Sequence, residues 1–182
     1  MQALIVIDAQ NEFSSEGKRP VPGHEMILAA IADQVRHARA NGQPIVWIRH
    51  HNLPHESPAF VPGSWGAEFS PGMGPKSDSA GQEELFGKNV YGAFTGTAIG
   101  SWLEKLGIGK ILLTGFYTHG CVSTTAREAI MRGLDVSLDS QATGSCEIIH
   151  PQLGRLSAEE VRRSTLLQLA NMGCQIITGL NG

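Results

Sequence analysis

The sequence predicts a three-layer α/β/α domain built on a parallel β-sheet with helices on both faces. Short apolar runs rich in β-branched residues alternate with longer amphipathic stretches, and this alternation is typical of βαβ units. The chain has 182 residues, of which 41% are apolar and 17% charged, which suits one domain with a substantial core. We therefore predict a single domain over residues 1–182.

The elements alternate in a regular order and carry start and stop signals. In chain order the runs are ALIVI, ILAAIADQVRHARA, PIVWI, IGSWLEKL, ILLTG, TTAREAIMRG, LDVSL, VRRSTLLQLANMG and CQIIT. Asn41-Gly42 and Met172-Gly173 are predicted to end helices, because glycine adopts the left-handed conformation that terminates them. Ser157 with Glu160 forms a predicted capping box at the start of the last helix.

Two segments interrupt the alternation. Residues 50–81 contain prolines, glycines and three histidines, and a loop of this length in a compact domain is usually functional or disordered. Its aromatic residues Phe60, Trp65 and Phe69 indicate that it packs over a site or against another subunit. Residues 141–154, QATGSCEIIHPQLG, are predicted to form a second, shorter loop.

Charge and composition exclude several classes of partner. The net charge of −3 offers no basic surface for a phosphate backbone, so we expect small-molecule partners and no nucleic acid. No run approaches the ~18 apolar residues of a membrane span, and the opening MQALIVIDAQ resembles a core strand more than a signal peptide. The three cysteines are too widely spaced for a disulfide framework. We expect a cytoplasmic protein with reduced thiols.

Three candidate functional residues follow predicted strands. Asp8 ends ALIVI, Lys88 lies in LFGKNVYGAF, and Cys121 follows ILLTGFYTHG where a helix begins. Ligands of parallel α/β sheets bind beyond the carboxyl ends of strands, so these side chains are expected to converge. Taken singly, they are better explained as a turn aspartate, a surface lysine and an inert buried thiol, and only the combination favours a functional site. A helix N-terminus, however, lowers the pKa of a thiol and supplies N–H donors for an oxyanion.

Three motifs in order, DAQNEF, K-x-x-x-GAFTGT and TGFYTHGCVSTTAREA, resemble those of the isochorismatase-like cysteine hydrolases. That superfamily includes nicotinamidases, N-carbamoylsarcosine amidases and isochorismatases. The matching positions are Asp8, Gln10, Phe13, Lys88, Ala93, Phe94, Gly96, Thr97, Gly115, Thr118, Cys121, Val122, Thr125, Ala126, Arg127 and Ala129.

The resemblance implies a Rossmann-like fold with a six-stranded parallel sheet and a catalytic triad of Asp8, Lys88 and Cys121. By analogy Cys121 attacks a carbonyl carbon, Asp8 carries the proton, and Lys88 is the electrostatic partner. The backbone N–H groups of Tyr117 and Cys121 are the implied oxyanion hole, with a cis Phe116–Tyr117 peptide bond. We expect Phe13, Trp65, Phe94, Tyr117 and His119 to line the substrate pocket.

The chain departs from nicotinamidases at their metal site, which uses an Asp-x-His and a further histidine. The segment WIRHHNLPHESPAF lacks that aspartate, so we expect no metal, although His50, His51 and His55 remain candidate ligands. We also expect no organic cofactor.

Isochorismatases carry glycine at the nucleophile position, whereas Cys121 is retained here. The thiol favours C–N hydrolysis of a small amide or N-carbamoyl compound. The alternatives are a vinyl ether hydrolase with Asp8 as the acid and a non-catalytic binding protein on the same fold. The family also implies a homo-oligomer, with residues 50–81 as the candidate interface. Cys146, Cys174 and Arg127 are interpreted as structural, the arginine as an ion-pair partner.

Overall fold

The structure is a computed structural model that describes residues 1–53, 55–77 and 82–181. The strands and helices are β1 (Gln2–Ile7), α1 (His24–Ala40), β2 (Ile45–His50), β3 (Glu83–Lys88), α2 (Ile99–Lys105), β4 (Lys110–Phe116), α3 (Ser123–Met131), β5 (Asp135–Gly144), β6 (Ile148–His150), β7 (Gly154–Leu156), α4 (Ala158–Asn171) and β8 (Gln175–Ile177). Single helical turns cover Asn11–Phe13, Trp65–Ala67, Thr118–Val122 and Gly179–Asn181.

Six strands form one parallel sheet in the order β3-β2-β1-β4-β5-β8. Numbered within the sheet alone, this is the doubly wound order 3-2-1-4-5-6. Strands β2 and β3 are added on one side of β1, and β4, β5 and β8 are added on the other, so the strand order reverses between β1 and β4. Open α/β sheets bind ligands in the crevice at such a switch point. The topology therefore directs attention to the residues that follow these two strands.

The two faces of the sheet are covered by different helices. Side chains alternate along β1, so that Ala3, Ile5 and Ile7 pack in a cluster with apolar residues of α2, α3 and α4. Leu4 and Val6 point to the opposite face and pack with those of α1. The predicted three-layer α/β/α architecture is confirmed.

The predicted helix boundaries agree with the structure. Ser157 accepts the backbone N–H of Glu160, whose side chain accepts the N–H of Ser157 in return, so the capping box is present. Gly42 and Gly173 follow the ends of α1 and α4 with φ of +61° and +97°, the left-handed region in which glycine carries no side-chain penalty.

Two predictions about elements need correction. The apolar runs in the sequence account for five strands, and the sixth is β3, whose side chains are mostly half-buried at the sheet edge. The segment 141–154 is not a loop, because Gln141 to Gly144 continue β5 and β6 pairs with β7 in an antiparallel hairpin. Here the hydrophobic pattern was too weak to indicate strands.

The segment between β2 and β3 carries little regular structure in its described parts. Trp65–Ala67 form a helical turn, and Phe69 forms an isolated bridge with Gln10. Pro54 and residues 78–81, which belong to the predicted loop, lie outside the described residues. In the described part of the chain, no helix combines the length and apolar character needed to cross a bilayer.

Candidate active site

The side chains of Asp8, Lys88 and Cys121 meet at the carboxyl end of the sheet. Lys88 Nζ lies 2.7 Å from Asp8 Oδ2 and 3.2 Å from Cys121 Sγ. The three residues are buried, with 0%, 3% and 8% of their surfaces exposed. The predicted convergence of a carboxylate, an ammonium and a thiol is therefore observed in the geometry.

Three different segments position these groups. Asp8 follows β1 with φ of +53° and donates its N–H to the Ile48 carbonyl, while Lys88 ends β3. Cys121 lies in the turn Thr118–Val122 that joins β4 to α3. Gly115 allows β4 to pass close to β1, because a Cβ there would lie 1.9 Å from the Ile7 carbonyl oxygen.

His50 joins this cluster from the intervening strand. It pairs in register with Lys88, and its Nδ1 lies 3.1 Å from Lys88 Nζ while its Nε2 lies 2.8 Å from Asn52 Oδ1. Burial and the positive charge of Lys88 lower the pKa of His50. A neutral imidazole with its proton on Nε2 satisfies both contacts, because Nδ1 then accepts from the ammonium.

Gln10 fixes the backbone at His50. Its amide Nε2 donates to the carbonyls of His50 and Ala67, both at 2.8 Å, and its Oε1 accepts the His50 N–H at 2.8 Å. This single buried side chain therefore links the end of β2 to the turn Trp65–Ala67. The glutamine of the DAQNEF motif is thus a structural clamp beneath the site.

The candidate metal ligands do not fit a metal ion. Ligand atoms of Asp8, His50 and Cys121 lie within 4.8 Å of one another, but Lys88 Nζ contacts all three groups. An ammonium already occupies the point on which the donors converge, and a divalent cation there would meet a like charge. His51 and His55, the other candidate ligands, are not part of this cluster among the described residues.

The environment of Cys121 keeps the thiol protonated. Burial and the adjacent Asp8 carboxylate raise its pKa to about 12, and the positive charge of Lys88 opposes this rise only in part. This direction is opposite to the lowering expected from a helix N-terminus, because desolvation and the carboxylate both favour the neutral thiol. Burial alone would lower the pKa of Lys88, but Asp8 and Cys121 raise it overall. The resting site holds an ammonium beside a thiol.

The two carboxylate oxygens of Asp8 differ in their hydrogen bonding. Its Oδ2 accepts from Lys88, whereas Oδ1 is buried and has no hydrogen-bond partner among the described residues. Buried carboxylate oxygens are normally paired, and the exceptions concentrate where a proton or ligand is received. This oxygen is therefore available to take a proton from a group that enters the site.

A cleft of about 850 Å³ opens at the triad and is lined by Asp8 and Cys121. Three of the five predicted pocket residues, Phe13, Tyr117 and His119, line it. The ring centroid of Tyr117 lies 4.8 Å from that of Phe13 and 5.0 Å from that of His119. Together these three rings form one aromatic wall of the cleft.

Trp65 and Phe94 are the two predicted pocket residues that lie elsewhere. Trp65 is 52% exposed and is not among the residues that line the cleft. Phe94 is buried in the core beneath α3, with the guanidinium of Arg132 4.8 Å from its ring centroid. Neither residue lines the cleft: Phe94 packs in the core, and the side chain of Trp65 is largely exposed outside the cleft.

Several further polar residues line the cleft that the sequence did not indicate. They include Arg19, Asn52, Asn89, Tyr91, Thr124 and Cys146. Cys146, for which the sequence indicates a structural role, also lines the cleft. Thr124 lies in the first turn of α3 and the other five lie in loops, and sequence spacing does not show which of these positions the fold brings to one cleft.

The remaining interpreted residues are structural. Cys174 is buried away from the cleft, and burial raises its pKa to about 11. Arg127 donates to the Ser123 carbonyl and the Gln168 side chain, and it forms no ion pair with the described residues. It is therefore a hydrogen-bonding link between α3 and α4 and not an ion-pair partner.

The turn before α3 presents backbone donors beside Cys121. The Phe116–Tyr117 peptide bond is cis, as the resemblance implies. The N–H groups of Gly120 and Val122 both donate to the Tyr117 carbonyl, at 3.0 and 3.1 Å. The N–H of Tyr117, which lies outside the strands, donates to no backbone carbonyl among the described residues.

Comparisons with known proteins agree with this geometry. The isochorismatase domain model matches residues 2–178. The secreted isochorismatase effector Isc1 of Verticillium dahliae is 37% identical over 80% of this chain and 73% of its own. Nicotinamidase 3 of Arabidopsis thaliana is 29% identical over 92% of this chain and 80% of its own.

A solved structure matches the fold over nearly the whole chain. An isochorismatase from Pseudomonas putida KT2440 superposes with a TM-score of 0.89 at 28% identity, covering 97% of this chain and 87% of that one. Three ordered motifs, the doubly wound sheet and the domain match lead to the same assignment. This chain belongs to the isochorismatase-like cysteine hydrolase family and is a hydrolase.

Proposed function

We propose that this hydrolase cleaves the C–N bond of a small amide or N-carbamoyl compound through a thioester on Cys121. The observation that carries the proposal is the contact of Lys88 Nζ with both Asp8 and Cys121, beside an Asp8 oxygen that has no hydrogen-bond partner in the described part of the chain. The similarity to a plant protein named a nicotinamidase supports an amide substrate. The reaction has two halves that use the same three side chains.

In the first half Cys121 attacks the carbonyl carbon of the substrate. The thiol proton moves to Asp8 Oδ1 as the S–C bond forms, and the carbonyl electron pair moves to oxygen. The backbone N–H groups of Tyr117 and Cys121 hold the resulting oxyanion. The C–N bond then breaks as the nitrogen takes the proton from Asp8, which leaves an acyl-enzyme and ammonia or an amine.

In the second half water replaces the departed amine. Asp8 takes a proton from the water as its oxygen bonds to the thioester carbon, and collapse of the intermediate returns that proton to sulfur. Lys88 stays protonated throughout, because the negative charge of the Asp8 carboxylate, or of the Cys121 sulfur when it ionises, raises its pKa against the opposing effect of burial. Its charge offsets the negative charge that moves between Asp8 and Cys121.

The test is release of ammonia from a panel of small amides by the wild-type protein and by variants. Cys121→Ala, Asp8→Asn and Lys88→Ala should each lower turnover by at least about 10³-fold with circular dichroism unchanged. Cys174→Ala removes a buried thiol remote from the cleft and serves as the matched control. Intact-mass spectrometry should detect the acyl adduct on the wild-type protein only.

The rival function is hydrolysis of a vinyl ether with Asp8 as the acid. The similarity to a fungal protein named an isochorismatase effector favours it. In that reaction the thiol forms no bond, so Cys121→Ala would retain near-normal turnover of a vinyl ether substrate. Loss of amide hydrolysis in this variant supports the thioester route, whereas full retention contradicts it.

The site of action and the cofactor requirement are part of this proposal. We propose a cytoplasmic enzyme that needs neither metal nor organic cofactor. The three free cysteines suit a reducing compartment, and the ammonium of Lys88 stands where the candidate metal ligands converge.

A further inference from the structure

Arg19 places an uncommitted cation in the catalytic cleft. It lines the same cleft as Cys121, and its guanidinium forms no ion pair with the described residues. The backbone around it is held firmly, since the Arg19 N–H donates to the Glu12 carbonyl at 3.0 Å and the Arg19 carbonyl accepts the Tyr117 hydroxyl at 2.9 Å. The fold therefore holds the backbone of Arg19 in place at the wall of the cleft.

The charge of Arg19 lies close to the aromatic wall. Burial raises the pKa of Tyr117, and the positive charge of Arg19 acts on the phenol in the opposite direction. The Tyr117 hydroxyl, which donates to the Arg19 carbonyl, lies at the Arg19 end of the aromatic wall. The backbone N–H of Tyr117 lies at the other end, beside Cys121. A flat or extended molecule on this wall would span from Arg19 to the nucleophile.

Two acids line the cleft, Asp8 and Glu56, and neither forms an ion pair with Arg19 in the described part of the chain. His50 and His119 have their pKa values lowered by burial, so both imidazoles are neutral at neutral pH. Glu56 also lines the cleft, but it is exposed and its Oε2 accepts the Leu53 N–H at 2.7 Å. Arg19 is an exposed residue at this cleft, and a guanidinium that forms no ion pair with the described residues is suited to bind an anion from solution.

We propose that Arg19 binds a carboxylate of the substrate, so that the enzyme acts on small amide or N-carbamoyl acids whose carboxylate lies remote from the scissile C–N bond. This inference rests on the proposed function, because it takes Cys121 as the point of attack. The planar guanidinium forms two parallel hydrogen bonds with a carboxylate. The aromatic wall between the two ends would receive the body of the molecule.

Binding can be measured without turnover in the Cys121→Ala protein by isothermal titration calorimetry. The probes are three acids, each paired with its methyl ester: N-carbamoyl-β-alanine, succinamic acid and 4-carbamoylbenzoic acid. The ester keeps the amide and the body of the molecule but removes the charge. We expect at least one acid to bind about tenfold or more tightly than its ester, the preference that a charged hydrogen-bonded pair provides.

Three charge variants in the Cys121→Ala background identify the group responsible. Arg19→Gln should reduce the preference for the acid to less than about threefold, because the cation is removed. Glu56→Gln should strengthen acid binding, because it removes the opposing charge. Lys18→Gln is the matched control, since this neighbouring cation donates to the Pro58 carbonyl and does not line the cleft; it should leave the preference within about twofold.

The two proposals fail in different ways. If no acid is preferred over its ester, or if Lys18→Gln removes the preference as fully as Arg19→Gln, the role of Arg19 is refuted whatever the enzyme hydrolyses. If the wild-type protein prefers acids in an Arg19-dependent manner but releases ammonia from no amide, the amidohydrolase function is refuted and the anion site stands.

Discussion

The protonation state of Cys121 is the residue-scale feature that separates this site from one with a preformed thiolate. With a pKa raised to about 12 by burial and by Asp8, the thiolate forms only when a substrate can accept its electrons. The nearby Asp8 oxygen without a partner provides the proton acceptor for that moment. A protected thiol of this kind resists alkylation and oxidation between turnovers.

Asp8→Asn should therefore make Cys121 more reactive while it abolishes catalysis. Burial and the carboxylate raise the pKa of the thiol and Lys88 lowers it, so removal of the negative charge leaves burial alone to oppose Lys88 and the pKa should fall. A fall of one pKa unit increases the thiolate fraction about tenfold, and alkylation by iodoacetamide at pH 8 should accelerate by at least that factor. Peptide mass spectrometry follows Cys121 separately from Cys146 and Cys174.

The wild-type protein provides the reference in the same experiment. Its Cys121 should alkylate slowly at neutral pH, with a rate that still rises above pH 9. A plateau near pH 7, or a slower reaction in Asp8→Asn, would contradict a resting thiol and support a preformed ion pair.

Removal of divalent metals should leave amide hydrolysis unchanged within about twofold, because no step of the proposed mechanism passes through a metal. The physical reason is that Lys88 Nζ contacts Asp8, His50 and Cys121, the three residues whose ligand atoms lie close together in the structure. Dialysis against EDTA followed by an ammonia assay measures this. Activity that is lost and then restored by a divalent cation would show that the donors can rearrange around an ion.

The sequence predicted the three reacting side chains better than it predicted the residues that surround them. Asp8 and Cys121 could be found because each follows a predicted strand within a motif, and Lys88 could be found because it lies in the middle motif of the three. Arg19 and the role of His50 could not, because both depend on which loops and strands become neighbours. Sequence spacing carries no information about such contacts.

At the scale of elements, the close approach of β1 and β4 is what brings Asp8 and Cys121 together. Gly115 makes this approach possible, with φ of +114° and no side chain against the Ile7 carbonyl. The five apolar strands were predictable from their runs of β-branched residues, whereas β3 was not, because an edge strand buries less surface and shows a weaker pattern.

Gly115→Ala should destabilise the protein by more than about 2 kcal/mol, because the added Cβ would force β4 away from β1. Urea unfolding followed by circular dichroism measures the change. Gly109→Ala is the matched control, since a Cβ there meets nothing within 4 Å, and it should stay within about 0.5 kcal/mol of wild type. Equal stabilities of the two variants would show that the strands can separate without cost.

At the scale of the whole molecule, the surface carries an apolar hairpin. Among the described residues, β6, β7 and the turn between them expose Ile148, Ile149, Leu153 and Leu156, and Leu153 is 85% exposed. The predicted interface, residues 50–81, shows a smaller cluster in its described part, with Leu53 and Trp65 exposed. Exposed apolar clusters of this kind mark sites of association.

We expect a homo-oligomer in size-exclusion chromatography with multi-angle light scattering. Ile149→Glu combined with Leu153→Glu should shift the protein towards monomer, because a buried charge without a partner opposes association. Trp65→Glu tests the predicted loop interface in the same way. A wild-type protein that stays monomeric at all concentrations would refute both surfaces.

The order β3-β2-β1-β4 has a consequence for refolding. The catalytic cluster takes Asp8 from the end of β1, His50 from β2, Lys88 from β3 and Cys121 from the turn after β4. No three of these segments can assemble it, and a register slip of one residue in β3 would turn Lys88 to the opposite face of the sheet. Hydrolysis therefore reports the correct assembly of four of the six strands. During refolding from urea, recovery of activity should follow the docking of edge strand β3, even if far-ultraviolet circular dichroism recovers earlier.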